Sequence, residues 1–245
     1  MRSMIINMRR LGATLLLLAS SLYSYSQGTM GISGLLNSPN ALISPEGTVK
    51  IGGNFLHQRL TPDKWDYNTF NYSLNITFFP FVEIAITNTA FDLYDEGKFT
   101  NVDRSVCVKF RLLKEGKYYP SVAIGSNDVI TSNTDNLVDP GNGNKYFGTH
   151  YIALSKHFKI SETTIGLHAA YNMLSSTKQR INFPVSGGIS FSPSFFKSLN
   201  LIAEYDTRNY NLGGTLLLFK HLYLQFFVQD LKYVSFGAQA QFSIL

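Results

Sequence analysis

The residues of this chain whose types could carry out catalysis are one serine and two histidines. Ser155 and His157 lie two residues apart, and a short turn at 159–162 would set Ser155 across from His168 on the next segment. A serine beside an imidazole could form a nucleophile and its base, provided that an acid orients the imidazole and an oxyanion site exists. The sequence identifies neither, and polar lining of a folded wall explains the same residues. We therefore predict no catalytic residue.

Charged side chains at alternate positions of the predicted strands form a second set of candidates. They are Glu83, Lys109, Arg111, Glu204 and Asp206. If the apolar residues between them face lipid, these five side chains point into a lumen together with Ser155 and His168. There they could pair to hold the wall together or line a path for a polar solute. The sequence favours the structural role and leaves the solute path as the alternative.

No metal or cofactor site is predicted. The histidines are His57, His150, His157, His168 and His221, which are scattered without ligand spacing. The single Cys107 excludes an internal disulfide and a zinc site built from several thiolates. The stretch 128–145 has the composition of a calcium loop without the ordered spacing of an EF-hand, so we interpret it as an extracellular loop.

The elements that must position these residues are β-strands, because apolar residues recur at every second position from Thr48 onward. The clearest example is 69–78, where aromatic and aliphatic residues alternate with Asn, Ser and Thr. Twelve strands are predicted, at 48–57, 69–79, 82–91, 102–113, 118–127, 147–158, 163–173, 183–193, 199–207, 209–219, 222–230 and 232–242. Three cross-strand pairs keep the apolar faces on one side: Ala203 with Leu212, Leu216 with Leu224, and Phe226 with Phe236.

Loop length indicates what the apolar face meets. Loops near 58–68, 92–101, 128–146 and 174–182 are long, whereas most of the intervening connections are short. This alternation, with an even strand count, is typical of an up-and-down outer-membrane barrel. Closure also leaves no unpaired edge in hydrocarbon. We predict an all-β, antiparallel, up-and-down transmembrane β-barrel of about twelve strands over 48–245, in which aromatic residues at strand ends form interfacial girdles; an aromatic-filled interior is the alternative.

The first 27 residues have the features of a cleaved signal peptide of a Gram-negative bacterium. Arg2, Arg9 and Arg10 precede the apolar run 11–22, and a small-x-small site ends at Ser26. Without this segment 18 basic and 16 acidic residues remain, a net charge of +2. Such a balance implies no nucleic-acid partner. The expected surroundings are outer-membrane lipid and lipopolysaccharide.

Residues 28–47 form a Gly/Pro-rich segment before the first strand. It lacks the Gly-Lys-Ser/Thr ending of a phosphate loop. Its glycines and prolines indicate consecutive tight turns, so the segment could enter the barrel as a plug or lie along the periplasmic rim. The residues that define the motif are Gly31, Gly34, Asn37, Pro39, Asn40 and Gly47.

The pattern Gly-x-x-Gly-Leu-Leu-Asn-x-Pro-Asn-Ala at 31–41 resembles the start of the YjbH-like outer-membrane proteins associated with exopolysaccharide and capsule production. A second likeness is the acidic strand 203–206, followed by the Asn/Gly-rich stretch 209–213. Members of that family are often longer and carry a lipid-anchor cysteine, which is not found after the predicted signal. The resemblance implies secretion or assembly of an extracellular polysaccharide, with polysaccharide or envelope secretion proteins as partners and no catalytic residues.

Three functions are therefore distinguished. The favoured one is a noncatalytic outer-membrane barrel that assists export or assembly of a surface polysaccharide, which rests on the motif at 31–41. The alternative is a channel or small-solute transporter, suggested by the charged lumen. A lipid-modifying enzyme of the outer membrane, suggested by Ser155 and His168, is the least favoured.

Overall fold

The computed structural model describes residues 26–62, 65–91, 101–131, 144–175 and 180–245. The predicted signal peptide falls outside these residues except for Ser26 and Gln27. Twelve antiparallel strands close into a barrel in which each strand pairs with its neighbours in the chain and the first pairs with the last. The predicted fold class is thus confirmed. No helix within the described ranges is long and apolar enough to cross a membrane.

The strands follow the predicted positions closely. They are β1 (Thr48–Leu56), β2 (Thr69–Phe79), β3 (Val82–Phe91), β4 (Asn101–Leu113), β5 (Ser121–Thr131), β6 (Thr149–Ile160), β7 (Thr163–Leu174), β8 (Val185–Ser192), β9 (Leu199–Tyr205), β10 (Tyr210–Leu218), β11 (Leu222–Gln229) and β12 (Tyr233–Ser243). A short 3₁₀ turn, Gln58–Leu60, follows β1. Thr48 pairs with Ser243 where the barrel closes. We call the end that holds these two residues the short-turn end and the opposite end the long-loop end.

All three predicted cross-strand pairs are present. Ala203 faces Leu212, Leu216 faces Leu224, and Phe226 faces Phe236. A slip of one residue would turn every apolar side chain of a strand to the other face, so the apolar pattern determines the register strongly.

The prediction for the fifth strand was wrong at both ends, because 118–127 was expected and Ser121–Thr131 is observed. Alternation of apolar residues continues through Tyr118, but the backbone there already forms a turn in which Gly116 N–H donates to Tyr119 O at 3.2 Å. Pro120 lacks an N–H and cannot extend the ladder. The pairing of β4 with β5 also contains two irregularities, which shift its register.

The two faces of the wall differ in polarity in the sense required by a membrane. The outward positions carry exposed apolar side chains such as Leu74, Leu154 and Phe226, whereas the inward positions carry buried polar ones such as Asn75 and Thr77. A soluble barrel would bury the first set and expose the second. The inverted distribution is that of a barrel whose outside is in contact with lipid.

The aromatic residues predicted to form girdles are concentrated at the short-turn end. The exposed aromatics there are Phe78, Phe79, Phe81, Tyr118, Tyr119, Phe158, Phe195, Phe196 and Phe219. At the long-loop end Tyr210 is exposed and Tyr205 and Tyr233 are half-buried, while the side chain of Phe91 lies outside the described part of the chain. Aromatic rings at the ends of the strands suit the headgroup region of a bilayer.

Candidate functional site

The Gly/Pro-rich segment enters the barrel. Residues 28–44, which we call the plug, are almost wholly buried inside the lumen, and Leu36 and Ala41 have no exposed surface. Of the two positions predicted for the segment, plug or rim, the plug is correct. The plug contains no charged residue, so every charge in its surroundings comes from the wall.

The plug folds as two tight turns, as the glycines and prolines predict. Isolated bridges join Gln27 to Ser33 and Gly34 to Pro39. Gly31 has a φ of +76°, and a Cβ added there would lie 2.6 Å from the side chain of Ser73 in β2. Only glycine combines this left-handed conformation with so close an approach to the wall.

The carboxylate of Glu204 in β9 binds the second turn of the plug. It accepts hydrogen bonds from the backbone N–H groups of Leu36, Asn37 and Ser38 at 3.0, 2.8 and 3.1 Å. Asp206 accepts the side-chain amide of Asn37 at 2.8 Å. Hydrogen bonds that N–H groups donate to an ionised carboxylate are roughly twice as strong as those between neutral groups.

The two sequence stretches that suggested a family resemblance are therefore in contact. Asn37 lies in the first stretch, and Glu204 and Asp206 lie in the second. Asn211 completes the cluster by donating to Glu204 at 2.7 Å and to Asp206 at 2.9 Å. We call Glu204, Asp206 and Asn211 the acidic clamp.

On the other side of the lumen, Glu83 and Lys109 bind the first turn. Glu83 accepts the backbone N–H of Ser33 at 3.0 Å and its hydroxyl at 2.8 Å. The ammonium group of Lys109 donates to the carbonyl of Ser33 and, at 3.0 Å, to that of Leu42. Four of the five predicted lumen charges therefore contact the plug: Glu83 and Lys109 on one side of the lumen, and Glu204 and Asp206 on the other.

The predicted pair of Ser155 and His168 is also present. Ser155 Oγ lies 2.9 Å from His168 Nδ1, and Ser190 Oγ lies 3.0 Å from His168 Nε2. Ser155 Oγ also accepts the backbone N–H of Ala41 at 2.9 Å. Hydroxyl groups therefore engage both ring nitrogens, and the serine oxygen is occupied by the plug.

His157 and Arg111 lie toward the short-turn end, away from the plug contacts. The Nδ1 atom of His157 is 2.7 Å from the carboxylate of Glu115, in the turn between β4 and β5. Arg111 donates to the carbonyl of Pro80 in the turn between β2 and β3. Both side chains hold turns of the barrel rather than the plug.

Inward asparagine and glutamine side chains that the sequence reasoning missed hold the plug carbonyls. Asn71 and Asn54 both donate to Thr29 O, at 2.8 and 3.1 Å, and Asn75 donates to Gly31 O at 2.8 Å. Gln225 donates to Leu36 O at 3.0 Å. The sequence pattern could have identified these side chains, because Asn71 and Asn75 lie on the polar face of the most regular predicted strand.

Apolar side chains of the plug fill three gaps in this polar interior. Met30 and Ile32 pack with Trp65, Ala85, Cys107 and Phe147; Leu35 and Leu36 pack with Leu56, Leu60, Ile202 and Phe227; and Ala41 packs with Ala123, Tyr151, Ala153 and Ala170. Small wall residues make room for the plug where large ones would collide with it. Each large plug side chain buried in this way stabilises the closed state by about 1.5–3 kcal/mol.

A pocket opens at the long-loop end, above the plug. It has a volume of about 440 Å³ and is lined by Arg59, Arg180, Asn182, Arg208, Asn209 and Asp230. A cleft of about 80 Å³ shares three arginines and Asn209 with it, and is bounded by Thr29, Asn37 and Pro39 of the plug. We call the two together the vestibule.

The charged groups of the vestibule are held by specific contacts. The guanidinium of Arg59 lies 5.0 Å from the centre of the Tyr233 ring, and Arg208 donates to Thr61 O at 3.2 Å. Burial and the positive charge of Arg59 lower the pKa of the nearby His57 imidazole below its ordinary value. Among the described residues, no group of three or more His, Cys, Asp or Glu side chains could hold a metal ion.

Residues 26–214 match the model of a family described as exopolysaccharide biosynthesis protein YbjH, or YjbH. The chain belongs to the YjbH family. The match includes the whole plug and the acidic clamp, so the predicted resemblance is confirmed. The uncharacterized lipoprotein YjbH of Escherichia coli (strain K12) is 27% identical over 153 residues, which cover 60% of this chain and 19% of that protein. The chain thus spans about a fifth of the length of this YjbH relative.

Two solved outer-membrane proteins also match this chain at low identity. Omp33 of Acinetobacter baumannii has a TM-score of 0.45 at 9% identity, with 81% of this chain and 99% of that chain covered. Outer membrane phospholipase A from Escherichia coli has a TM-score of 0.33 at 10% identity, with 82% and 93% covered.

Proposed function

We propose that this YjbH-family protein is a noncatalytic outer-membrane β-barrel that takes part in the export or assembly of an extracellular or capsular polysaccharide. The observation that carries the proposal is the plug, which lies within the family match and is held by the acidic clamp inside that same match. A lumen filled in this way suits a scaffold or docking station at the cell surface.

The outer membrane as location is supported by the exposed apolar belt and by the closed wall, which leaves no strand edge unpaired in lipid. Lipid and lipopolysaccharide would surround this belt. Polysaccharide and envelope secretion proteins are the proposed partners at the two ends of the barrel.

The absence of catalysis is supported by the surroundings of Ser155. A nucleophile needs a free oxygen, a base and a route for substrate, but this oxygen accepts the Ala41 N–H and lies beneath the plug. Ser155→Ala and His168→Ala should therefore leave the lipid profile of the outer membrane as in wild type. A changed acyl-chain composition in either variant, with normal barrel assembly, would contradict a noncatalytic role.

Deletion of the gene, followed by staining of surface glycan, tests the polysaccharide role. We expect loss or marked reduction of exopolysaccharide or capsule, and restoration by the wild-type gene but not by an empty vector. Unchanged surface glycan in every growth condition would overturn the proposal.

A channel or small-solute transporter is the second candidate, and the vestibule favours it because it reaches the plug from the long-loop end. Recording from the purified full chain in planar bilayers separates the two functions. Stepwise conductance by the wild-type protein would favour the channel, and its absence would favour the scaffold.

A further inference from the structure

We infer that the vestibule binds a carboxylate-bearing sugar unit of an acidic polysaccharide. The inference rests on the proposed function and names the class of glycan that the barrel would hold. It is based on the convergence of Arg59, Arg180 and Arg208 on one pocket, together with two side-chain amides.

The arginines reach this pocket from separate parts of the chain. Arg59 lies in the 3₁₀ turn after β1, Arg180 lies between β7 and β8, and Arg208 lies between β9 and β10. These loops are distant in sequence and meet only because the barrel closes. The planar guanidinium group binds a carboxylate through two parallel hydrogen bonds, which an ammonium group cannot do.

The nearby acids offset only part of this positive charge, because three guanidinium groups and two carboxylates line the described part of the vestibule. Asp230 lines the larger pocket, attracts Arg59 electrostatically and accepts the backbone N–H of Tyr210 at 3.1 Å. Asp206 borders the cleft and accepts the side-chain amides of Asn37 and Asn211 and the backbone N–H groups of Arg208 and Asn209. Three guanidinium groups at a concave mouth attract anions toward the plug.

The remaining chemistry of the vestibule suits a sugar better than a lipid. Its volume of about 440 Å³ is within the range of small-molecule sites. Asn182 and Asn209 offer amide donors and acceptors for hydroxyl groups. The larger pocket is lined by charged and amide side chains only, so its described lining offers an acyl chain no apolar side chain to cover. The cleft beneath it also contains apolar residues such as Met30, Leu56 and Phe147.

A binding measurement on the full chain in detergent micelles tests the inference. The probes are hexameric oligogalacturonate and its methyl ester, which has the same sugar backbone without the carboxylate charge. We expect the acid form to bind at least about tenfold more tightly than the ester, and its affinity to fall as salt is raised. Each of Arg59→Gln and Arg180→Gln should weaken binding by about tenfold, since a charged hydrogen-bonded pair is lost.

The triple variant, which also carries Arg208→Gln, should abolish binding of the acid form. Lys220→Gln removes one positive charge from a turn at the short-turn end and should bind as wild type. Heat-modified migration in electrophoresis identifies variants that fail to form the barrel. If the triple variant does not form the barrel, the binding affinities of the two single variants still decide the test.

Equal affinity for acid and ester, or undiminished binding by folded arginine variants, would overturn the inference. Preferential binding of phosphate-bearing lipopolysaccharide core over oligogalacturonate would overturn it too, because the anion would then be a phosphate of the membrane. The two proposals fail separately. Loss of surface glycan on gene deletion without oligogalacturonate binding refutes only the vestibule site, whereas binding without a glycan phenotype refutes the polysaccharide role.

Discussion

At the scale of single residues, charges of the wall recognise the backbone of an uncharged plug. Glu204 and Glu83 each accept backbone N–H groups, and Lys109 donates to backbone carbonyls. Such contacts depend on the path of the plug chain more than on its side chains. This explains why the plug is rich in residues that form tight turns.

Glu204→Gln should loosen the plug. The amide presents an NH₂ group where the carboxylate accepts three N–H groups, so we expect a loss of about 1–3 kcal/mol in the stability of the closed state. Reaction of the single Cys107, which is buried against Met30 and Ile32, with a lumen-accessible maleimide measures plug opening. Glu162→Gln, in an exposed turn, is the matched control. Equal labelling rates in Glu204→Gln and wild type would contradict the clamp.

Gly31→Ala should destabilise the plug, whereas Gly28→Ala should be tolerated. Gly31 has a left-handed backbone conformation, and a Cβ added there would collide with the side chain of Ser73. A Cβ added at Gly28 would have its nearest neighbouring atom 3.5 Å away. The expected cost at Gly31 is about 1–3 kcal/mol, to be measured as faster maleimide labelling of Cys107. Similar labelling rates for the two alanine variants would show that this steric contact does not hold the plug.

Acid should release the turn that contains Glu115. Partial burial raises the pKa of Glu115, but hydrogen bonds and charge from His157 and a hydrogen bond from Lys156 outweigh it, so the pKa lies below its ordinary value of 4.5. A carboxyl group with a lowered pKa stabilises the fold above its unfolded pKa, and this contribution disappears as the pH falls through the folded pKa. NMR titration of the Glu115 carboxyl should give a midpoint below 4.5, which Lys156→Gln should raise. A wild-type midpoint at or above 4.5 would refute this.

At the scale of elements, the plug and the wall are complementary. Small side chains such as Ala85 and Ala123 face the plug, whereas larger polar residues face it elsewhere. The loop residues Leu60 and Trp65 pack on the plug from the long-loop end. The lumen is therefore closed by a segment with its own hydrophobic contacts.

Removal of residues 28–44 should leave a barrel with an open lumen. The twelve-stranded wall keeps all its strand pairs, while the plug hydrogen bonds and apolar contacts are lost. We expect conductance steps in planar bilayers and rapid labelling of Cys107. Addition of the same deletion to a Cys107→Ser chain controls for labelling at other sites. A folded deletion variant without conductance would mean that other residues close the lumen.

At the scale of the whole molecule, the inverted distribution of polarity assigns the outer surface to lipid. Outward apolar residues encircle the wall, and the interior is polar where it is not covered by the plug. The closed hydrogen-bond ladder satisfies the backbone groups of the wall without water.

Leu154→Arg should weaken folding into bilayers, because Leu154 lies midway along β6 and faces outward. An arginine near the middle of the bilayer costs about 2–4 kcal/mol on the lipid face of a barrel. Equilibrium unfolding by guanidinium in phospholipid vesicles measures the loss. Leu231→Arg, in an exposed turn, should change stability little, and equal effects of the two variants would argue against a lipid-facing β6.

The sequence by itself determined the approximate number of strands, the register of four hairpins and the polar face of each clearly alternating strand. The recurrence of apolar residues at every second position and the complementarity of facing residues are local properties. Ala203 could therefore be paired with Leu212, and Ser155 with His168, from the sequence alone. The same pattern failed at Tyr118, where apolar alternation ran on into a turn that Pro120 and the irregular pairing with β4 impose.

Only the tertiary structure decided where residues 28–44 lie and which loops meet at the vestibule. Glycines and prolines predict turns but not the space into which the turns fold, since that space exists only after the first and last strands pair. The plug partners of Glu204 are more than 160 positions away in the chain, and Arg59, Arg180 and Arg208 come from three loops. Closure of the barrel brings these residues together, because residues that are far apart along the chain then face one another across the same lumen.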